Sequence, residues 1–281
     1  MSVLRLLTVY NESDIIRENI QYYISQGVET VVLDNYSKDG TYEILKEYEG
    51  KGIRWIERLK TDYYDIIKLN TILLNLVLKN EKEQYFIWAD ADEITCPFNT
   101  KFKLIDFVPK AFEVFNVDAF VVSKFEFYLT NIHELKIGIN SITDFKYCIF
   151  EKNWKKTIFR KNEFLQTYVD MPYYFDKDNN ELSYKTQENI FFIKHFPYRS
   201  LRQAKRKIYR GIPKKFRNKN IDASNIDILN KHYLWYKEDF ENRVIRKRDD
   251  LLEFENHSDF YMNFMIKKYP ESEKDYNFFL T

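Results

Sequence analysis

Cysteine is nearly missing from this chain of 281 residues: there are two, Cys96 and Cys148. Two cysteines exclude a disulfide framework, and their separation matches no metal-site spacing. A reducing cytoplasm is the compartment that suits such usage. Glycine and proline are also scarce, at six each, so long flexible or low-complexity tracts are not expected. Charge of one sign is not in excess: Lys plus Arg is 44, Asp plus Glu is 43, and the formal net charge is +1. Global charge therefore points to no nucleic-acid or membrane partner, and any such attraction must come from local clustering. No apolar window approaches the roughly 20 residues that span a bilayer. The apolar start, Met1 to Tyr10, is too short for that and lacks the basic beginning and cleavage site of a signal peptide. No internal repeat is visible.

What is present is aromatic and periodic. Aromatic residues make up 18% of the chain, with 22 Tyr and 24 Phe. The length suits one large α/β domain with an appendage, or two modest domains. Val3 to Val9 reads as a first strand. Ile15, Ile16, Ile20, Tyr23 and Ile24 then form a helical stripe, with cap-type residues in Asn11-Glu12-Ser13-Asp14 and a stop at Gly27. Thr30 to Leu33 is a second strand ending at Asp34. A polar loop through Thr41 enters a short helix, and Ile53 to Ile56 is a third strand. Asp65 to Leu78 is an apolar helix, and a fourth strand runs from Tyr85 towards Asp90. Strand and helix alternating four times predict a parallel sheet with right-handed crossovers.

The fourth strand carries the chemistry. Tyr85-Phe86-Ile87-Trp88-Ala89 is a short buried-strand pattern that runs directly into Asp90, Asp92 and Glu93. Ligands of open α/β sheets sit beyond the carboxyl ends of the strands. Hard oxygen donors there suit Mg²⁺ or Mn²⁺, with substrate phosphates completing the shell. A second Asp-x-Asp, Asp176-Lys177-Asp178, follows no apolar strand and reads as a turn.

After Glu93 the alternation loosens. Leu104 to Phe115 reads as a helix and Ala119 to Tyr128 as a strand. Tyr147 to Phe150 and Thr157 to Arg160 read as two antiparallel strands, and Ile190 to His195 as one more. From Arg199 to Lys219 ten residues are Lys or Arg and none is acidic. That stretch predicts a basic helix between Ser200 and Gly211. The remainder, from Asp222, reads as surface helices bearing Leu229, Tyr233, Leu234, Tyr236, Phe240, Leu251, Leu252 and Phe254.

Three stretches, in this order and spacing, resemble glycosyltransferase family 2, particularly its bacterial members with a short GT-A catalytic domain. They are Val9-Tyr10-Asn11-Glu12, then Val32-Leu33-Asp34-Asn35-Tyr36-Ser37-Lys38-Asp39-Gly40-Thr41, then Ile87-Trp88-Ala89-Asp90-Ala91-Asp92-Glu93. The last is similar to that family's D-A-D-E metal motif. His195-Phe196-Pro197-Tyr198-Arg199-Ser200 looks like the segment that closes the domain in one branch. The resemblance covers about residues 1–210. It departs from the family at Val9, where proline is usual, and in lacking a late Glu-Asp pair for the catalytic base.

The resemblance implies a GT-A fold: a mixed, mainly parallel sheet flanked by helices, with a helical C-terminal extension. It implies a catalytic domain over 1–210, with a nucleotide-binding half (1–93) and an acceptor half (94–198), and an extension over 211–281. It places the nucleotide sugar against Val9, Asn11, Glu12, Asp34 and Asp39, against Lys68 on the following helix, and against Asp90, Ala91, Arg199 and Arg202. Asp92 is the implied metal ligand, with Asp90 and His195 beside it, for Mn²⁺ or Mg²⁺. An inverting transfer also needs a carboxylate base opposite the leaving group. Glu126, Asp144 and Asp170 fall in the acceptor half, and Glu126 lies within a well-formed strand.

The expected function is metal-dependent, inverting transfer of a sugar from a nucleotide-sugar donor, UDP-sugars first. The acceptor is a hydroxyl of a glycan, a lipid-linked molecule or a protein, in bacterial surface-polysaccharide assembly. No nucleic-acid partner is expected. Residues 199–219 offer peripheral contact with anionic lipid at the inner face of the membrane. Two other readings compete. One is a GT-A scaffold that binds nucleotide sugar without turnover. The other is a haloacid-dehalogenase-like phosphatase, whose nucleophile motif Asp90-x-Asp92 echoes, although on the fourth strand rather than the first.

Overall fold

The computed structural model describes residues 2–61, 65–138, 140–162, 165–168, 171–174, 180, 181, 183, 185–210, 246–255 and 257–280. Its N-terminal part follows the alternation in the sequence. Strand β1 (Val3–Val9) is buried along its whole length and pairs in parallel with β2 (Glu29–Asp34) and with β4 (Tyr85–Trp88). Beyond β2 lies β3 (Ile53–Arg58), also parallel. Register aligns the carboxyl ends, with Val9 opposite Asp34 and Asp34 opposite Arg58. Helices α1 (Ile16–Ser25), α2 (Thr41–Glu47) and α3 (Ile66–Asn80) are the crossovers. Gly27 ends α1 with φ +73°, and a Cβ there would lie 2.8 Å from Ile105 Cγ2, so only glycine fits both the turn and the contact.

The rest of the sheet is mixed. Strand β5 (Glu93–Pro97) follows β4 at once, yet it sits on the far edge of the sheet. After α4 (Leu104–Phe115) come β6 (Ala119–Tyr128), the short α5 (Ile132–Ile137) and β7 (Tyr147–Arg160). The last is one strand of 14 residues where the sequence predicts two. Its exposed middle alternates enough to hide the continuity. It is paired to β6 through two register shifts. A small hairpin, β8 (Leu165–Tyr168) and β9 (Met171–Tyr174), stands apart from the main sheet, and β10 (Thr186–Gln187) adds to β6. Strand β11 (Phe191–His195) inserts between β6, parallel to it, and β5, antiparallel to it. The order β3-β2-β1-β4-β7-β6-β11-β5 is the mixed, mainly parallel, helix-flanked α/β class that the sequence predicts.

Helix α6 (Leu201–Arg210) follows β11 directly. The stretch with Leu229, Tyr233, Leu234, Tyr236 and Phe240, expected to be helical, lies outside the described residues. Further on, Leu252–Glu253 forms strand β12 against β7 instead of a helix. Backbone pairing to Cys148 and Tyr147 overrides a segment too short to hold a helix alone. Helices α7 (Phe260–Lys268) and α8 (Glu273–Leu280) then pack into the main core. Phe125 on β6 touches the rings of Phe150, Phe192, Phe254, Tyr261 and Phe264 at centroid distances of 5.0–6.0 Å. Phe98 after β5 meets Phe107, Tyr276 and Phe279 in the same way. Each such ring contributes about 1.5–3 kcal/mol by leaving water, and the abundance of Phe and Tyr is spent here.

One charge interrupts the central strand. Arg5 is fully buried in β1, its guanidinium 4.0 Å from the centroid of the Tyr23 ring on α1. It donates to Asn19 Oδ1 (2.6 Å) and to the carbonyls of Ala89 (3.1 Å) and Asp90 (3.0 Å). Asn19 in turn donates to the Glu93 carbonyl at 3.0 Å. Arg5 thus fixes the β4–β5 turn from beneath. We expect Arg5→Leu to take a donor from Asn19 Oδ1 and from the Ala89 and Asp90 carbonyls, the last of which keeps the Glu93 amide, and to lower stability by about 3–5 kcal/mol. Denaturant unfolding followed by circular dichroism checks this. A loss under 1 kcal/mol removes Arg5 as the prop of the turn.

Candidate active site

The carboxyl ends of β1, β2 and β4 carry acidic residues, and α6 brings bases to them. After β1 the chain turns sharply at Asn11 (φ 56°). The cap-type residues there are not used to cap α1, whose first turn has no side-chain cap. Glu12 and Asp14 instead hold Arg199, and Ser13 donates to Asp39 Oδ2 through both its amide (3.2 Å) and its hydroxyl (2.9 Å). Asp39 also accepts from the Thr41 hydroxyl and from Arg206 at 3.1 Å, while Thr41 Oγ1 accepts the Glu12 amide at 2.8 Å. Burial would raise the Asp39 carboxyl, but the hydrogen bonds from Thr41 and Ser13 hold it below its ordinary value. Asn11 joins the same loops, taking the Lys38 amide on Oδ1 and giving its own amide to Ser37 Oγ.

Asp34, at the end of β2, is fully buried and already engaged. Its oxygens accept the Ser37 amide at 3.1 and 3.2 Å, and Arg58 Nε at 2.9 Å. Arg58 lies between the rings of Tyr36 (4.4 Å) and Tyr42 (3.9 Å). Asp34 therefore positions a cation–aromatic stack beside the carboxyl end of β2.

The β4–β5 turn presents Asp92 inward, with 5% of the residue exposed. Three basic groups surround its Oδ2: Lys207 Nζ at 2.5 Å, His195 Nε2 at 3.7 Å and Arg199 Nη1 at 3.8 Å. Burial alone would raise the Asp92 carboxyl; Lys207, His195 and Arg199 together drive it well below the ordinary range. Asp90 is half-buried, and its amide donates to Glu93 Oε2 at 3.1 Å. Glu93 is buried and paired with Lys155 at 2.7 Å. Ala91 is buried between the two aspartates, and Val9 is buried at the end of β1.

His195 owes its place to register. It is the last residue of β11, opposite Glu126 on β6 and opposite Glu93 on β5. Its Nδ1 lies 3.0 Å from Glu126 Oε2. Glu126 also takes Lys124 at 2.7 Å and the Tyr128 hydroxyl. Burial would raise the Glu126 carboxyl, yet His195 and Lys124 hold it far below the carboxylate range. An ionised carboxylate accepts only, so Nδ1 is the donor; burial would lower the His195 pKa, but Asp92 and Glu126 raise it, and Nε2 offers its lone pair to a cation beside Asp92 once its proton is released. The ring stacks on Trp154 (5.7 Å, 23°), over which Lys124 and Lys155 also lie.

Arg199 is 2% exposed and donates Nε to Asp14 (2.9 Å), Nη2 to Glu12 and Nη1 to the Phe196 carbonyl (2.8 Å). Its partners raise its already high pKa despite burial. The resemblance places Arg199 against the nucleotide sugar; here its guanidinium pairs with Asp14, Glu12 and the Phe196 carbonyl.

Other expected residues stand apart from this cluster. Arg202 and Lys68 are exposed, and the Lys68 amide is taken by the N-cap Asp65 of α3. Asp144 is exposed in the capping box of a 3₁₀ turn, where it accepts the Ser141 amide at 3.1 Å. Asp170 lies outside the described residues, as do Asp176 to Asp178.

The sequence reading missed Lys207, Arg58, Asp14, Lys155 and Trp154. Lys207 had a signal: Arg199, Gln203 and Lys207 recur every four residues, one face of a helix. Arg58 ends the third strand as Asp34 ends the second. Lys155 and Trp154 have no local signal, since only the β6–β7 pairing brings them to the site.

Among the described residues no three His, Cys, Asp or Glu side chains converge as a metal cluster. Asp92 Oδ2 and His195 Nε2 do form an adjacent pair of donors, and the carboxylate behind His195 is the arrangement that orients metal-binding imidazoles. A divalent cation that takes its remaining ligands from phosphate and water fits this donor set.

Comparison with known proteins adds a family. No curated protein matches the chain. Among solved structures, the S. aureus TarS fragment 1–349 in complex with UDP-GlcNAc is 17% identical over 45% of this chain and 35% of that chain, with a TM-score of 0.37. The same fragment solved without a named ligand aligns over 87% of this chain and 75% of that one, at 14% identity and a TM-score of 0.42. The mannosyltransferase PcManGT from Pyrobaculum calidifontis, in complex with GDP-Man and Mn²⁺, is 19% identical over 47% and 36% of the two chains, with a TM-score of 0.32. In the first and last of these the chain spans about a third of its relative's length. Likenesses this distant assign no residue role. The family model is broader: residues 6–245 match the one described as glycosyl transferase family 2. That match extends over well more than half of the sequence, and the chain belongs to glycosyl transferase family 2.

Proposed function

We propose that this protein is a metal-dependent, inverting glycosyltransferase that takes its sugar from a nucleoside-diphosphate donor. The observation that carries the reading is Asp92, a buried carboxylate ringed by His195, Arg199 and Lys207 at the carboxyl end of a parallel sheet. Family membership supports it, and the phosphatase alternative has no comparable support. A scaffold without turnover would not need a buried carboxylate with its charge held so firmly.

The chain's own residues divide the work. Arg58, stacked between Tyr36 and Tyr42, offers the nucleoside an aromatic and cationic edge. Asp90 faces the ribose, by the logic of acids at sheet switch points. Asp92 and His195 would hold a cation, Mn²⁺ or Mg²⁺, which would supply Lewis-acid charge for a departing diphosphate. Arg206 and Lys207 add positive charge at the same edge. Glu126 is poorly suited to be the base, because a carboxyl held so low has little affinity for a proton. Its geometry makes it the positioner of His195. A glycan, lipid-linked or protein hydroxyl in surface-polysaccharide assembly is the acceptor class we infer. The exposed Arg202 and Lys205 on α6 would face an anionic membrane, and no described helix is long and apolar enough to cross one.

With Mn²⁺ and a panel of UDP-, GDP-, CMP- and dTDP-sugars, the protein is expected to hydrolyse at least one donor slowly, with the product anomer inverted by NMR. Asp92→Asn should reduce that turnover by about 10²-fold or more. Undiminished turnover in the variant would falsify the role of Asp92.

Glu126→Ala separates positioning from proton transfer. As a positioner, Glu126 should change the Kd for Mn²⁺ by about 10–100-fold while kcat at saturating Mn²⁺ stays within about tenfold. Glu126→Gln, which keeps an acceptor for Nδ1, should recover most of the Mn²⁺ affinity. A collapse of kcat at saturating metal in both variants makes Glu126 the base instead.

A further inference from the structure

We propose that Lys207 is a donor-site residue with two partners: its ammonium rests on Asp92 in the absence of donor, and moves to the donor's diphosphate when a cation takes Asp92. This rests on the functional reading above and deepens it.

The geometry sets the conflict. Lys207 Nζ stands 2.5 Å from Asp92 Oδ2, the same oxygen that faces His195 Nε2 at 3.7 Å. An ammonium has three donors and no acceptor, and at this distance its charge repels a cation entering at the same oxygen. A cation therefore enters between Asp92 and His195 most readily when one of the basic groups moves away.

The three groups differ in their freedom to leave. Arg199 has a side-chain exposure of 2% and is held by Glu12, Asp14 and the Phe196 carbonyl. His195 is fixed by Glu126 and by its stack on Trp154. Lys207 has a side-chain exposure of 22%, and its hydrogen bond is to Asp92. Its four-carbon stem can swing without any movement of the helix. The helix itself is anchored at its start: buried Gln203 accepts the Arg199 amide at 3.2 Å and donates to the Pro197 carbonyl at 3.2 Å. Lys207 lies one turn beyond Gln203 on the same face. A fixed helix therefore aims a movable cation at the reactive edge, and Arg206 beside it reaches Asp39 at 3.1 Å with a side-chain exposure of 33%.

Charge balance then says where Lys207 goes. The carboxylates that Arg199 and α6 reach, Glu12, Asp14, Asp39 and Asp92, outnumber the permanent cations Arg199, Arg206 and Lys207 by one. A divalent cation alone would enter against the Lys207 ammonium, and a diphosphate alone would have to compete with the carboxylates for the same bases. Entering together, the two exchange partners: the cation takes Asp92, and the released ammonium takes a phosphate oxygen. Lys207 thereby couples the two ligands, and by linkage each must strengthen the other equally.

The test titrates the whole protein by calorimetry with Mn²⁺ alone, then with UDP and GDP separately at saturating Mn²⁺. Lys207→Met should bind Mn²⁺ alone roughly fivefold or more tighter, because the competitor for Asp92 is gone. The same variant should bind the nucleoside diphosphate at least about tenfold more weakly, because a charged hydrogen bond to phosphate is lost. Lys207→Arg should restore nucleotide affinity towards wild type. Thermal melting of both variants near the wild-type midpoint establishes that they are folded. If wild type binds UDP or GDP with Mn²⁺, and Lys207→Met matches it in either titration, the exchange is overturned while the functional reading stands. If wild type binds neither nucleotide, the functional reading falls and the exchange falls with it.

Discussion

Everything at the reactive edge depends on one buried guanidinium. Arg199 sits where the last core strand gives way to α6, and it holds the turn after β1 through Glu12 and Asp14. It also approaches Asp92 and closes on the Phe196 carbonyl. Residues nearly two hundred positions apart are thereby tied at a single point. A lysine could not do this, since it is a point charge and the task needs a planar fork with several donors. Burying so many charges is costly in itself, and only their mutual pairing makes it tolerable. The cluster therefore specifies which loops meet, while the aromatic core around Phe125 and Phe98 supplies the stability that tolerates it.

Arg5 performs the matching task below the sheet edge. It donates to the carbonyls of Ala89 and Asp90, the second of which also takes the Glu93 amide, and so fixes the turn that presents Asp92. Arg5 holds the carbonyls of the β4–β5 turn, and Arg199 approaches its Asp92 carboxylate. Burial opposes the Asp92 charge, and Lys207, His195 and Arg199 outweigh it, so the carboxylate stays ionised in a dry setting.

The periodic half of this arrangement was legible in the sequence. Continuous apolar runs ending at Glu12, Asp34 and Asp90 gave the parallel strands and the edge to which they deliver charge, because burial on both faces leaves such a pattern. The second half was less so. β7 reads as two pieces because its middle is solvent-facing, and β12 reads as helix because a two-residue strand has no pattern. Arg5 was hidden within an apolar run, where a single charge looks like noise until its four partners are assembled. Asp34 and Arg199 were singled out, yet the sequence could not show that their oxygens and nitrogens are already engaged by Arg58, Glu12 and Asp14. Partner choice is a tertiary property, and no local spacing encodes it.

His195 shows how tertiary register makes chemistry out of an ordinary residue. A lone histidine at a strand end carries little information. Inserting β11 between β6 and β5 puts it beside Glu126 on one flank and Asp92 on the other. Glu126 is ionised because Lys124 and His195 face it, and an ionised carboxylate must receive the Nδ1 proton. The orientation of Nε2 then follows with no further choice. A shift of one residue in the β6–β11 pairing would turn His195 to the opposite face of the sheet and leave Asp92 with cations alone. The donor pair is thus a consequence of strand register, and the register is held by the Phe125 and Phe127 side chains packed in the core on either side of Glu126.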